Sequence, residues 1–223
     1  MGIDDINAFW ITIKLASTTS LILIILGTPL AWWLARTKHF SRVLIEPIVA
    51  LPLVLPPTVL GFYLLIAFSP DNPIGALWIS VTGAPLAFTF TALVIGSIIY
   101  SLPFYVQPLQ VAFEGINQDL LDAAATLGAR PLDRFFSIAV PLSKRGFVVA
   151  ICLAFAHTVG EFGIVLMIGG NIPGETQVLS IALYDHVESL EFESAHKIAG
   201  FLLLFSFSIL TIVYSLNRRW RTA

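Results

Sequence analysis

Five stretches of the chain are apolar over about the 20 residues that a helix needs to cross a hydrocarbon core roughly 30 Å thick. They run from Phe9 to Leu34, Val43 to Phe68, Leu86 to Val106, Phe147 to Ile168 and Ile198 to Leu216. Each is continuously apolar, whereas a strand of a membrane barrel would alternate. The pattern predicts an all-α fold, a polytopic membrane helical bundle of about five transmembrane helices in a single domain over residues 1–223. The second stretch contains Glu46, Pro47, Pro52, Pro56 and Pro57. Prolines remove backbone hydrogen bonds that lipid cannot replace, so this helix is expected to bend and to be sheltered by neighbouring helices.

Composition agrees with the pattern. Hydrophobic residues make up 57% and charged residues 12%, against roughly 25% charged in an ordinary soluble domain. Mean hydropathy is +0.88. The first stretch is too long for a signal-peptide core and follows Asp4 and Asp5, not a basic region, so it reads as a retained helix. Cys152 is the only cysteine, which leaves it no disulfide or metal-site partner. Lipid is the expected surroundings, and no nucleic-acid partner is expected.

The net charge of -2 says less than its distribution. Arg36, Lys38 and Arg42 follow the first stretch, Arg130, Arg134, Lys144 and Arg145 separate the third from the fourth, and Arg218, Arg219 and Arg221 end the chain. Cytoplasmic loops are enriched in such residues, so the N-terminus is expected outside and the C-terminus inside. Trp32, Trp33 and Trp220 suit interfacial anchoring. The segment SPDNPIGALWISVTG and the acidic segment after Ile168 are then external, with His186 and His196 expected to be solvated. Within the latter, TQVLSIALYDHV has the pattern of a short amphipathic helix that lies at the interface or dips into the bundle as a sixth membrane element.

The longest cytoplasmic segment, about residues 107–145, is unusually polar. Asn117 suits a helix cap, Leu120, Leu121, Ala124 and Leu127 repeat at spacings of three and four, Gly128 suits a left-handed turn, and Pro131 suits the start of a second helix. Two short helices joined by a tight bend are predicted, either as a docking element or as an amphipathic connector on the membrane surface.

Candidate chemistry inside the membrane is sparse. A charge at mid-bilayer costs roughly 2.5 to 3.5 kcal/mol on insertion scales, which draws attention to His157 and Glu161, four apart and placed to pair on one helix face. A proton or anion gate, a structural hydrogen bond between helices or across a dimer, and a metal site are the three readings, the last short of the three or four ligands zinc needs. Glu46 lies four residues after Arg42 and has it as a natural partner. No Gly-x-x-x-x-Gly-Lys-Ser/Thr run, His-Glu-x-x-His or Gly-x-Ser-x-Gly motif occurs, so neither a nucleotide site nor a catalytic residue is expected.

Asp122-Ala123-Ala124, three residues, Gly128-Ala129, and then Ile138 and Pro141 resemble the cytoplasmic loop of ABC importer permeases, with Asp122 for the usual Glu and Val140 for the usual Leu. LPLVLPPTVLGFYLL (Leu51 to Leu65) and GEFGIVLMIGGNIPGETQVLSIALYDHV (Gly160 to Val187) are similar to the molybdate-transport type, with sulfate and tungstate permeases as relatives. The resemblance implies a bacterial inner-membrane homodimer that moves molybdate inward by alternating access. Two cytoplasmic ATP-binding subunits would hold ATP and Mg, and an extracytoplasmic oxyanion-binding protein would deliver the anion. It makes Asp122, Ala123, Ala124, Gly128, Ala129, Ile138 and Pro141 the ATPase-coupling residues. An oxyanion is repelled by carboxylates, so neutral donors and half-helix N-termini are the better lining. Pro56, Pro57, Thr58, Gly160, Glu161 and Gly163 are the candidate pathway or gate residues, with helix packing and simple bending as the plainer roles of the glycines and prolines. An ATP-independent carrier or channel is the competing function.

Overall fold

The computed structural model describes residues 2–219, with side chains through residue 215; Trp220 and Arg221 lie outside the described residues, as do the side chains of Arg218 and Arg219. Among the described residues there is no strand. The first helix, α1 (Ile3–Arg36), is 34 residues long, about 50 Å at 1.5 Å per residue, so it outruns the hydrocarbon core. Asp4 and Asp5 in its first turn and Arg36 in its last complement its dipole.

The second apolar stretch forms two helices, α2 (Ser41–Val54) and α3 (Pro57–Phe68), that meet at 112°. The prolines cause this locally. Leu55 precedes Pro56 and is held extended at ψ 136°, and Pro57 begins α3 where its missing N–H costs nothing. A short helix, α4 (Pro73–Thr82), then occupies what the sequence pattern predicts to be an external loop. Its signals are local: Asn72 accepts from Ile74 N at 3.2 Å, Pro73 opens the first turn, and Gly83 closes it at φ 77°.

Helix α5 (Phe90–Glu114) continues eight residues past Val106, so the first part of the polar segment at about residues 107–145 is the end of a long helix and the short helices follow from Gly115. It leads into α6 (Gln118–Thr126), α7 (Pro131–Arg134), a π-helical turn at Phe135–Ala139, and α8 (Val140–Leu142). A 75° bend then starts α9 (Lys144–Val159). The fourth stretch is interrupted as well: α9 stops at Val159, and α10 (Gly163–Gly169) resumes after three residues. Last come α11 (Leu179–Glu188) and α12 (Phe192–Arg219).

Side-chain contacts settle how these cross. Arg36, ending α1, donates to the Phe113 carbonyl at the end of α5 (2.8 Å) and to Gln118 (2.9 Å), so α1 and α5 run the same way. The broken α2–α3 pair must therefore return the chain. Arg42 at the start of α2 meets Glu114 at 2.7 Å on that same side, and it forms the expected pair with Glu46 at 2.8 Å. At the opposite end, α11 stays beside α1: Leu179 N donates to Thr12 Oγ1 at 2.8 Å, and His186 Nε2 lies 2.9 Å from Asp5 Oδ1. With both its ends against the N-terminal part of α1, at Thr12 and Asp5, and only 10 residues, α11 is not a sixth crossing. Among the described residues three helices, α1, α5 and α12, are long and apolar enough to cross a membrane, and up to five spans result if each bent pair counts as one. His186 is also not simply solvated, since its Nδ1 meets Glu191 at 2.8 Å; His196 is exposed.

The interior is built on α1, α5 and α9. Tyr105, Leu109 and Phe113 of α5 are fully buried against Leu23, Ala31 and Leu34 of α1 and Ala150 and Ala154 of α9. A Cβ at Gly27 would lie 2.6 Å from the Tyr105 ring, so α1 passes α5 here only because position 27 has no side chain. The adjacent Thr28 hydroxyl hydrogen-bonds the Tyr105 hydroxyl at 2.8 Å, typically worth about 0.6 kcal/mol between membrane helices.

Candidate functional site

Two regions carry the residues singled out by sequence. The first is the α6–α7 elbow, at the end of the bundle where α1 and α5 finish. Asn117 caps α6, its Oδ1 accepting from Asp119 N at 3.0 Å. At the other end, Gly128 N donates to the Ala125 carbonyl (2.9 Å), and Ala129 N reaches back to Ala124 (3.0 Å). This paired closure needs a left-handed residue at its centre, and Gly128 supplies it at φ 88°. Asp133 Oδ2 then accepts from Arg130 N at 3.1 Å and caps α7.

The elbow presents Asp122, Ala123 and Gly128 outward, and Ala124 and Ala129 are half-buried. Asp122 accepts from Gln118 Nε2 at 3.0 Å. Ile138 lies on the π-helical turn and packs on the core, whereas Pro141 is exposed on α8. These residues thus divide into an exposed face and an inner anchor. Around that face Leu127 is 89% exposed and Leu132 70%, an apolar surface on a segment whose neighbours are charged.

The second region is a cavity of about 510 Å³ at the two breaks in the membrane helices. Pro57, Thr58, Gly160, Glu161 and Gly163 line it together with Tyr100 and His157; Pro56, the residue before α3, does not. Five of the six pathway candidates therefore converge, although they come from positions 57–58 and 160–163. Gly163 permits the approach of α3 and α10, since a Cβ there would stand 3.0 Å from Pro57 Cβ.

His157 and Glu161 do not pair. The helix ends between them, and each instead reaches α5: Ser97 Oγ donates to Glu161 Oε2 at 2.8 Å, and Ser101 Oγ lies 2.9 Å from His157 Nδ1. Glu161 is 3% exposed, and its other oxygen, Oε1, is buried without a protein partner. The donor order around His157 follows from one carbonyl. Thr158 Oγ1 donates to Ala154 O at 3.0 Å, so its oxygen can only accept at its 2.9 Å contact with Ser101 Oγ. Ser101 spends its single proton there, which obliges His157 Nδ1 to be the donor to Ser101. The ring is further fixed by stacking on Phe104, centroids 3.8 Å apart, and by Tyr100 at 4.7 Å. Sequence reading missed Ser97, Tyr100 and Ser101, although two serines four apart in an apolar helix are a recognisable polar stripe. No group of three or more potential metal ligands occurs among the described residues.

The chain is 53% identical to the molybdenum transport system permease protein ModB of Azotobacter vinelandii over 214 residues, covering 96% of this chain and 95% of the relative. It is 30% identical to a probable sulfate transport system permease protein, cysT, of Nephroselmis olivacea over 207 residues, 93% of this chain and 72% of the relative. Among solved structures, a bacterial ABC transporter involved in import of the acidic polysaccharide alginate superposes with a TM-score of 0.79 at 17% identity, covering 98% of this chain and 80% of that one, and so shares the fold. Residues 27–222 match the binding-protein-dependent transport system inner membrane components, and the chain belongs to that family.

Proposed function

We propose that this chain is the membrane-crossing subunit of an ATP-driven importer that moves molybdate into the cytoplasm. The carrying observation is the 53% identity to a molybdenum permease across nearly the whole of both chains. Two copies would enclose the pathway about a two-fold axis, with the cavity at the helix breaks beside it. The α6–α7 elbow, with its exposed Leu127 and Leu132, suits docking into a groove of a separate ATP-hydrolysing subunit, which would hold ATP and Mg. An extracytoplasmic oxyanion-binding protein would meet the face formed by α11 and the start of α1, and the home of the assembly would be a bacterial inner membrane. A sulfate or tungstate permease is the second reading, its sulfate form favoured by the 30% identity to the sulfate relative. Uptake of labelled molybdate by cells lacking this chain, with and without its restoration and with excess sulfate or tungstate, separates them. Restored uptake that resists sulfate is expected. Molybdate uptake independent of this chain, or abolished by sulfate, overturns the assignment.

A further inference from the structure

We propose that the cavity between the end of α1 and the α6–α7 elbow binds the phosphate headgroup of an anionic membrane lipid through Arg36, Arg134 and Lys38. The site is separate from the cavity at the helix breaks, and it stands whether or not the importer reading holds. Its volume is about 600 Å³, many times the roughly 30 Å³ share of a water molecule. Three of the residues that line it are cationic and none is acidic.

Helix α6 brings the two guanidiniums together. Arg36 Nη1 donates to Gln118 Oε1 at 2.9 Å and Arg134 Nη1 to the Leu121 carbonyl at 3.3 Å. Those acceptors belong to residues three apart, about 4.5 Å along the helix axis. Arg36 Cζ also lies 5.0 Å from the centre of the Trp32 ring, which fixes it from the side of α1. Lys38, exposed two residues beyond, completes the set.

This charge has no counter-ion in the chain. Among the described residues none of the three cations forms an ion pair. Only neutral oxygens meet the arginines, and the Nε of each is buried without a protein partner. The nearby acids are engaged elsewhere: Glu46 and Glu114 pair with Arg42, Asp122 accepts from Gln118 Nε2, and Asp133 caps α7. Carbonyl and amide oxygens orient a guanidinium but leave its charge in place. Phosphate cancels that charge and suits the planar fork of arginine.

Two features favour a lipid as its source. Trp32 sits in the last turn of α1, a helix long and apolar enough to cross a membrane, which sets the cavity at headgroup depth. An aromatic path also leads from it: Phe135 lies edge-on to Trp32 at 5.2 Å, and exposed Phe136 lies edge-on to Phe135 at 5.1 Å, a surface for acyl chains. The exposed face of the elbow at Asp122, Ala123, Leu127 and Gly128 does not line the cavity, so a protein seated there need not enter it. A headgroup between Arg36 and Arg134 would clasp α7 to α1.

The full-length permease, purified in neutral detergent, is titrated with phosphatidylglycerol, phosphatidylcholine or glycerol phosphate. Thermal midpoint and lipid retained in native mass spectrometry are read. Phosphatidylglycerol is expected to raise the wild-type midpoint saturably, at lower concentration than phosphatidylcholine. Arg134→Gln keeps an N–H for the Leu121 carbonyl but no charge, and should weaken phosphatidylglycerol binding roughly tenfold, the scale of one hydrogen bond to a charged group. Arg134→Lys should recover part of that loss. Lys38→Gln, at an exposed position without an ion pair, should bind roughly fivefold more weakly, the effect of one basic residue beside an anionic surface. Arg130→Gln removes a charge from the same elbow outside the cavity and should bind as wild type does. An equal response to phosphatidylcholine, or an equal loss in Arg130→Gln, overturns the proposal. Glycerol phosphate as effective as phosphatidylglycerol overturns the lipid source in favour of a soluble phosphate. Lipid binding that disappears when a co-purified ATP-hydrolysing subunit is present makes the cavity a protein contact and overturns it too.

Discussion

Gly128 offers a perturbation whose effect is almost purely a matter of backbone. Its φ of 88° closes α6, and a Cβ built there meets nothing within 4 Å, so a side chain adds strain without a clash. An ordinary L-residue in the left-handed region costs roughly 1–2 kcal/mol; Asn tolerates it better, and a β-branched residue worst. That cost matters because little holds α6 to the bundle: buried Leu121, the Arg36–Gln118 bond at 2.9 Å and the Arg134 contact with the Leu121 carbonyl at 3.3 Å, with hydrogen bonds netting about 1 kcal/mol apiece. A penalty of about 1–2 kcal/mol is comparable, and it reduces the fraction of correctly seated elbow by up to roughly 5- to 30-fold. The series Gly, Asn, Ala, Val at position 128 is therefore expected to fall in that order in ATP-driven uptake and in ATPase retained on purification, each normalised to permease in the membrane. Equal activity for Ala and Val would refute the backbone argument. So would losses explained entirely by less protein reaching the membrane.

Two further outcomes rest on other contacts. Gly61→Ala would set a Cβ 2.8 Å from Met167 Cβ and 3.2 Å from the Ile164 backbone, forcing α3 off α10; a loss of about 1–3 kcal/mol, read as a lower thermal midpoint in detergent, is expected, whereas Gly160→Ala, whose Cβ meets only carbonyls of its own helix at 3.7 and 3.8 Å, should leave the midpoint unchanged. His186 is held above the ordinary histidine value, first by its hydrogen bond to Asp5 and then by Glu191, so its link between α11 and α1 is fully present below the unperturbed value of about 6.5 and is lost as pH rises through the elevated one; the midpoint difference between wild type and His186→Gln should accordingly be larger near pH 6 than at about pH 9, and a difference that grows with pH would contradict the ion-pair account.

What can be read from the chain alone follows the range of the forces involved. The elbow is legible because caps and turns are local: Asn117, Gly128 and Pro131 each act within a few residues. The bend at Pro56 and Pro57 is legible for the same reason. The break at Gly160 to Phe162 is not, since no proline marks it and the apolar run continues through it to Ile168. That break is what separates His157 from Glu161, and it turns an expected pair four residues apart into two bonds spanning 56 and 64 residues. Such partners depend on how α5 packs against α9, which periodicity in either helix alone does not specify. Helix α4 shows a different kind of failure, because its cap, its proline and its closing glycine are all present but have the composition of a loop.

The two regions are mechanically adjacent although they lie at different depths. The elbow is inserted between α5 and α9, the two helices that supply Tyr100 and His157 to the cavity. Where they flank the elbow they are fastened closely: a Cβ at Gly146 would collide with Ala112, and Ser143 Oγ donates to the Ala112 carbonyl at 3.4 Å. Higher up, the Ser101–His157 and Ser97–Glu161 bonds join them again, the second beyond the point where α9 has lost its helical hydrogen bonding. On the importer reading, a force applied to Asp122 through Gly128 arrives at two helices fastened to each other beside the elbow, and the break at Gly160 lies further along the second of them. Glu161 and Gly163 at that break line the cavity together with Pro57 and Thr58, and Gly163 stands directly against Pro57. On the importer reading, a stiff lever between the elbow and the break is what would let motion at Asp122 reach Pro57 and Thr58, because a soft lever would dissipate it on the way.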